Sequence, residues 1–247
     1  MSDLSALTAL LWGTLLLRPY VFLFLAAFLA AGAQDLGPRR TAGFLLWGSA
    51  VAFVAEYAST RVGIPFGLYH YTGHTVGIEL YLSNVPIFDP LSFPFLAYAA
   101  YCLARRTLGP GRGAPVVLLA GLLMMLLDVV IDPLAVRGDR WFLGRVFYYP
   151  AGGVYFGVPL TNFAGWALVG WVIVGGVEWA GRRRVPAPGA PGPGVGLYWG
   201  VLLFSLSITM WIGEWALAGA GILVYVAGFL VLYWLSMRTT ARGVDRR

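Results

Sequence analysis

Windows of about 20 consecutive apolar residues recur from one end of this chain to the other, and a helix of that length crosses a hydrocarbon core of roughly 30 Å. The composition agrees, because 59% of the 247 residues are hydrophobic and only 11% are charged. A soluble domain has roughly 25% charged residues. We therefore predict an all-α, polytopic membrane helix bundle with seven to eight transmembrane helices, in which residues 1–247 form a single membrane-embedded domain.

The predicted spans follow the apolar windows. They cover residues 19–34, 42–60, 86–104, 114–133, 159–180, 196–216 and 218–237. Residues 4–17 are apolar but short, so they form either an eighth span or an interfacial helix. We do not expect a cleavable signal peptide, because no basic residue precedes the first apolar run and no clear cleavage site follows it before the next span.

Arginine supplies all 17 basic residues, and its distribution predicts the orientation of the bundle. Arginine clusters fall on every second connection, which predicts that those connections are cytoplasmic. The clusters are Arg39 and Arg40, then Arg105, Arg106 and Arg112, then Arg182 to Arg184, and finally the tail at 238–247. We predict a multi-pass protein of the cell (inner) membrane with a cytoplasmic C-terminus, a Pro/Gly-rich cytoplasmic linker at 182–196 and no affinity for nucleic acid.

Carboxylates are concentrated near the predicted outer side of the spans. The stretch MMLLDVVIDPLAV, residues 124–136, carries Asp128 and Asp132 within an apolar run. The same layer contains Glu56, Asp89, Asn162 and Glu214. An aspartate at the middle of a membrane helix costs about 2.5 to 3.5 kcal/mol on insertion scales, so such residues usually face the bundle interior and mark function.

Asp128 and Asp132 lie one helical turn apart, about 6 Å along a single face. Two carboxylates that close in a poor dielectric do not both stay ionised, and a neutral acid beside an ionised partner suits general acid–base catalysis. Pro133 is expected to end the helix. Two other interpretations stay open: Asp132 caps a helix or pairs with an arginine, and Asp128 is satisfied by a neighbouring helix. For Glu214 and Asp89 there is a further alternative interpretation, in which they lie at solvated helix ends.

Two aromatic loops lie on the same predicted side. The first, PFGLYHYTGH at 65–74, contains His70 and His74, whose spacing would suit a metal only in a helix, and the flanking glycines disfavour a helix. We predict no metal site, and the single cysteine excludes a disulfide within the chain. The second, at 137–166, is expected to dip back into the membrane edge. Its Arg137, Arg140 and Arg145 break the alternation of arginine-rich connections, and we expect them to neutralise the carboxylates instead of setting the topology. An aromatic belt at the lipid interface is the alternative.

Four motifs between residues 56 and 166 carry a resemblance to a known family. They are FGLYHY, NVPIFDPLSF, LLDVVIDP and GVYFGVPLTNFAGW. In this combination the chain resembles the integral-membrane carotenoid hydratases of the carotenoid biosynthesis protein family. The resemblance implies addition of water across the terminal C1'=C2' double bond of a psi end group, in lycopene or a monocyclic carotene, giving a tertiary alcohol without a cofactor. A related C50 carotenoid 2'',3''-hydratase activity is the alternative within the family.

The resemblance implies roles for the residues already singled out. One of Asp128 and Asp132 would donate the proton, while the other, or Glu56, would orient the water and accept its proton. Aromatic and amide side chains would line the slot for the substrate, namely Tyr69, Tyr71, Tyr148, Tyr149, Tyr155, Phe156, Asn162 and Trp166. The expected partners are a carotenoid in the bilayer, water and other enzymes of carotenoid synthesis.

Other functions compete with a hydratase. A proton-coupled transporter also uses intramembrane carboxylates, although its carboxylates should extend across the bilayer. A carotenoid-binding membrane protein would not need the acids. A prenyltransferase would need a second aspartate-rich motif, and a retinal protein is excluded because the chain has no lysine for a Schiff base.

Overall fold

The computed structural model describes residues 3–109, 113–181 and 192–244. Most of the predicted linker, together with Arg112, Arg182 to Arg184, Arg246 and Arg247, lies outside these residues. The all-α class is confirmed, since the described residues form eight α-helices. They are α1 (Asp3–Leu17), α2 (Pro19–Asp35), α3 (Pro38–Val62), α4 (Ser92–Leu108), α5 (Ala114–Ala135), α6 (Leu160–Gly181), α7 (Gly192–Trp211) and α8 (Trp215–Val244).

Fewer helices qualify as membrane spans than the seven to eight predicted. Within the described residues, α3, α5, α6 and α7 are long and apolar enough to cross a membrane. Helices α1 and α2 qualify only together, and an 89° bend separates them, so the count is four, or five if the bent pair is one span. The chain is a membrane protein, and the part of it that the structure describes does not confirm the predicted count of seven to eight spans.

Helix α4, predicted as a span at 86–104, is shorter than the helices that qualify. It is 17 residues long and almost wholly buried, because it packs against α2, α3, α5, α6, α7 and α8. A helix that is apolar on all sides lies inside other protein or inside lipid, and its sequence does not distinguish the two. Helix α4 is the central helix of the bundle.

Several predicted boundaries differ from the observed ones. Helix α5 continues through Pro133 to Ala135, contrary to the prediction that Pro133 ends it. The backbone of Val136 donates to the Asp132 carbonyl at 2.9 Å, and the Arg137 guanidinium donates to the Pro133 carbonyl at 2.8 Å, so the last turn keeps its hydrogen bonds. Asp89 lies in the turn before α4, and Glu214 lies between α7 and α8.

The two aromatic loops meet as a short sheet. Strand β1 (His70–Tyr71) pairs antiparallel with β4 (Phe147–Tyr148), with Tyr71 opposite Phe147. A second pair joins β2 (Tyr81–Leu82) to β3 (Val85–Pro86). The loops therefore form one connected cover over the carboxylate end of the bundle.

Candidate active site

The contact between α5 and α6 aligns the central polar residues. At one end of this contact the two helices approach through glycine, because a Cβ on Gly170 would lie 2.9 Å from the Cα of Gly121. Eight residues before Gly170 on α6 comes Asn162, and α5 presents Asp128 and Asp132 to it. Small residues let membrane helices pack closely, and this packing holds the amide between the two carboxylates.

Asn162 joins the two aspartates directly. Its side-chain nitrogen donates to Oδ2 of Asp128 at 2.6 Å and to Oδ2 of Asp132 at 2.8 Å. The exposed fractions are 0% for Asp128, 9% for Asp132 and 1% for Asn162. Oδ1 of Asp128 has no hydrogen-bond partner among the described residues. Since no cation neutralises the pair in that part of the chain, the two carboxyl groups are arranged to share a proton.

Glu56 belongs to the same cluster. It lies on α3, is 2% exposed, and has Asp89, Tyr71 and Asp132 as electrostatic neighbours. Neither of its carboxylate oxygens has a hydrogen-bond partner within the described ranges. A buried carboxyl group without a partner is costly to ionise, so Glu56 is suited to holding or passing a proton.

Asp89 occupies the turn before α4 and accepts a hydrogen bond from the Tyr71 hydroxyl at 2.7 Å. Burial raises the pKa of Asp89 to about 6, while the Tyr71 hydroxyl and the nearby Arg18 act in the opposite direction. Burial also raises the pKa of Tyr71 well above its ordinary value. Tyr71 therefore stays a neutral donor, and Asp89 changes charge near pH 6.

A cavity of about 100 Å³ opens beside these acids. Asp89 and Asp132 are the two carboxylates on its wall, and Trp166 borders it near them. The remaining wall is largely apolar and aromatic and includes Tyr20, Phe24, Phe88, Phe95, Trp141, Phe147 and Phe204. Aromatic faces stabilise positive charge, so this wall is chemically suited to a cationic intermediate.

Most of the predicted lining residues lie elsewhere. Among the predicted aromatic residues, only Trp166 borders the cavity. Tyr69 and Tyr149 form a layer behind it with Tyr71, with ring centroids of Tyr69 and Tyr149 5.7 Å apart. The other three, Tyr148, Tyr155 and Phe156, are partly exposed and do not border the cavity.

The aromatic residues that α2 and α7 contribute to the cavity were not predicted from the sequence. Tyr20 and Phe24 are four residues apart on α2, and Phe204 of α7 packs against both. The spacing of the α2 pair was a usable signal, since residues four apart share one helical face.

The histidines lie outside the acid cluster. His70 belongs to β1 and contacts the Tyr148 ring, while His74 is exposed in the following loop. Among the described residues, no group of three His, Cys, Asp or Glu side chains is arranged to hold a metal ion.

The arginines of the second loop pair with a peripheral carboxylate. Arg137 reaches Glu214 at 3.2 Å, and Arg140 forms a second ion pair with the same carboxylate. Arg145 instead lies over the Tyr148 ring, 5.8 Å from its centroid. Arg137 and Arg140 thus neutralise Glu214, one member of the predicted carboxylate layer, and within the described residues no ion pair joins Arg137 or Arg145 to the central acids.

Two buried ion pairs were not anticipated. Arg18, at the bend between α1 and α2, pairs with Glu79 at 3.0 Å and donates to the Leu143 carbonyl at 2.6 Å, which ties that bend to both loops. Asp35 of α2 accepts two hydrogen bonds from Arg105 of α4, at 2.7 and 3.1 Å. Arg105, assigned from sequence to a cytoplasmic connection, is 8% exposed.

The fold and site define a helical membrane protein built around a buried carboxylate–amide cluster that opens on an aromatic cavity. The family model described as carotenoid biosynthesis protein matches residues 15–228, and the chain belongs to that family. It is similar to the bisanhydrobacterioruberin hydratase of Haloarcula japonica, with 33% identity over an alignment of 191 positions that covers 73% of this chain. The matched region covers 62% of that relative's length. No solved structure matches the chain.

Proposed function

We propose that this protein is a membrane carotenoid hydratase, a hydro-lyase that adds water to the end of a carotenoid without a cofactor. The observation that carries the proposal is the Asp128–Asn162–Asp132 cluster, in which Asp132 also borders the aromatic cavity. Family membership and the name of the relative support the same reaction class.

The first step is protonation of the terminal double bond by Asp132. The alkene π electrons take the proton from the neutral carboxyl group, which leaves a tertiary carbocation on the substrate and a carboxylate on Asp132. Asn162 donates to this carboxylate at 2.8 Å and to Asp128 at 2.6 Å, so it stabilises the charge that develops. The aromatic wall, including Trp166, stabilises the cation.

In the second step a water molecule adds to the cation and loses one proton. Asp89 is the second carboxylate on the cavity wall, and its pKa of about 6 leaves it ionised at neutral pH. We assign it as the acceptor of that proton. Glu56, which has both Asp89 and Asp132 as electrostatic neighbours, then gives a proton to Asp132 and takes the proton held by Asp89, so that every group regains its starting protonation state and Asp128 and Asp132 again share one proton. The product is a tertiary alcohol, and no redox chemistry is involved.

Two kinds of carotenoid substrate are proposed. A psi end group of lycopene or a monocyclic carotene, hydrated at C1'=C2', is the first choice. The similarity to a bisanhydrobacterioruberin hydratase favours testing that compound as well, together with 2'',3'' hydration of C50 carotenoids.

A proton-coupled transporter is the main rival, because buried charges also occur at the other end of the bundle. There, however, Asp35 accepts two hydrogen bonds from Arg105, and Glu178 accepts one hydrogen bond from the Tyr101 hydroxyl. A carboxylate held in a buried ion pair, as Asp35 is, makes a poor relay group, whereas Glu56 and Asp128 retain unpartnered oxygens within the described residues. This asymmetry favours chemistry at one end over transport.

Expression in a lycopene-producing host, followed by mass analysis of the pigment, tests the proposal. We expect a gain of one or two molecules of water per carotenoid, lost in Asp132→Asn. Asp139→Asn is the matched control, because Asp139 is an exposed aspartate in the loop that follows α5. Unchanged pigment with lycopene, monocyclic carotene and bisanhydrobacterioruberin, with the protein in the membrane, would refute the hydratase assignment.

The orientation in the cell membrane belongs to the same proposal. The arginine clusters support a cytoplasmic C-terminus, which puts the carboxylate end on the opposite side. A reporter fused after Arg247 and active only in the cytoplasm would check this orientation.

A further inference from the structure

The size of the cavity limits how much of a carotenoid it encloses. Pockets that bury a whole drug-sized ligand have roughly 300 to 1,000 Å³, while this cavity has about 100 Å³. Only the reacting end of a long polyene fits inside. The rest of the substrate has to leave through an opening in the wall.

The side between α2 and α7 has the features of such an opening. It is closed by side chains rather than by backbone: Tyr20 stacks on Phe204 with centroids 5.2 Å apart, and Phe24 meets Phe204 edge-on at 5.5 Å. All three rings are partly exposed, whereas Phe88 and Phe95 on the deeper wall are 6% and 3% exposed. The cavity therefore reaches the surface at this aromatic cluster.

The surface outside the cluster indicates the medium from which a ligand arrives. Leu23 and Leu203 directly precede Phe24 and Phe204 in the sequence, and they are 67% and 61% exposed. An exposed apolar surface on a membrane helix faces hydrocarbon. Flat aromatic rings also stack well on a flat conjugated chain.

We propose that Tyr20, Phe24 and Phe204 form a lateral portal through which one end of a long polyene enters from the lipid, and that the polyene chain stays in this portal while its end reaches Asp132. This inference rests on the proposed function for the reaction, but its binding component is independent of catalysis.

Blocking the portal tests the inference. In Phe204→Cys, alkylation with a bulky pyrene maleimide places a large group within the cluster. Leu203→Cys is the matched control, because its side chain points away from the cavity on the same helix. The native cysteine, Cys102, is fully buried, so the unsubstituted protein reports background labelling.

Two readouts are measured before and after labelling: hydration of lycopene in reconstituted vesicles, and lycopene retained per protein in detergent by an Asp132→Asn background. We expect labelling of Phe204→Cys to reduce both by about tenfold or more, because binding of the remote part of a substrate contributes to kcat/KM. Labelling of Leu203→Cys should change neither.

Undiminished hydration and retention after labelling of Phe204→Cys would overturn the portal. If the native protein hydrates no carotenoid, the proposed function fails. The amount of lycopene retained per protein then tests the portal by itself. Retention lost only on labelling Phe204→Cys would then support it, and retention that is absent or insensitive to the label would overturn it.

Discussion

Replacing Asn162 with leucine should destabilise the protein strongly near neutral pH and remove its activity. Leucine has a similar volume but donates no hydrogen bond, so Asp128 and Asp132 lose contacts of 2.6 and 2.8 Å at a site where Asn162 is 1% exposed. A hydrogen bond to a charged group contributes about 1.5 to 3 kcal/mol. Because the two carboxyl groups already share a proton, we expect a net loss near the equivalent of one such bond, about 3 kcal/mol.

Thermal unfolding in detergent, followed by tryptophan fluorescence, measures this loss. For a chain of this size 1 kcal/mol shifts Tm by about 2 to 4 °C, so the expected decrease is about 6 to 12 °C. The decrease should be smaller at pH 4 than at pH 7, because a protonated carboxyl group no longer requires the donor. Hydratase activity should fall by about 100-fold or more, as expected when general acid catalysis fails.

Asn84→Leu is the matched control, since Asn84 is the chain's other asparagine. Its amide accepts from Arg61 at 2.8 Å and donates to Thr60 at 3.1 Å in a partly exposed loop. Surface substitutions of this kind change stability by about 0.5 kcal/mol. Equal Tm values for the two variants at pH 7, or a gap that widens at pH 4, would refute the idea that Asn162 stabilises a buried negative charge.

Three further predictions concern other parts of the bundle. The native rate should rise as pH passes about 6, where Asp89 ionises, and Asp89→Asn should lower the rate and flatten this part of the pH profile. Because the pKa of Asp89 in the folded protein exceeds the ordinary value of 3.8, the stabilisation that Asp89 contributes is full below pH 3.8 and is lost as pH rises through 6, so the Tm of the variant should vary less over this range. Gly121→Ala should reduce Tm and activity, because its Cβ would lie 2.7 Å from the Ala167 carbonyl, whereas Gly200→Ala meets nothing within 4 Å and should be neutral or stabilising. Arg105→Met should cost about 3 to 5 kcal/mol by leaving Asp35 unpaired, and adding Asp35→Leu should restore much of that loss in a chemical unfolding assay.

The sequence predicted the helices well because apolar length is a strong local signal. Helix α5 was expected at 114–133 and found at Ala114–Ala135, with Asp128 and Asp132 on a face that meets Asn162. The predicted number of spans is not confirmed, and α4 illustrates the difficulty: it is surrounded by other helices, and burial in protein leaves the same composition as burial in lipid.

The cavity wall was harder to predict because it depends on which helices meet. The motif-bearing loops were expected to line it, yet β1 and β4 pair with each other and turn most of their tyrosines into a supporting layer. Much of the aromatic wall comes instead from helices α2, α4 and α7, whose contributions lie outside the motifs: Tyr20, Phe24, Phe95 and Phe204. Phe24 and Phe204 are 180 residues apart in sequence, and only tertiary packing brings their rings to 5.5 Å.

The distribution of counter-charges separates structural from chemical carboxylates. Asp35 and Glu79 are each buried against an arginine, which is the usual condition for keeping a carboxylate inside a protein. Within the described residues, Glu56 and the Asp128–Asp132 pair have no such partner and rely on one amide and on each other. A protein that needed these groups only for stability would be better served by apolar side chains of the same volume. Their retention without a cation is what a site requires if it must keep a carboxylic acid neutral and deliver its proton to an alkene.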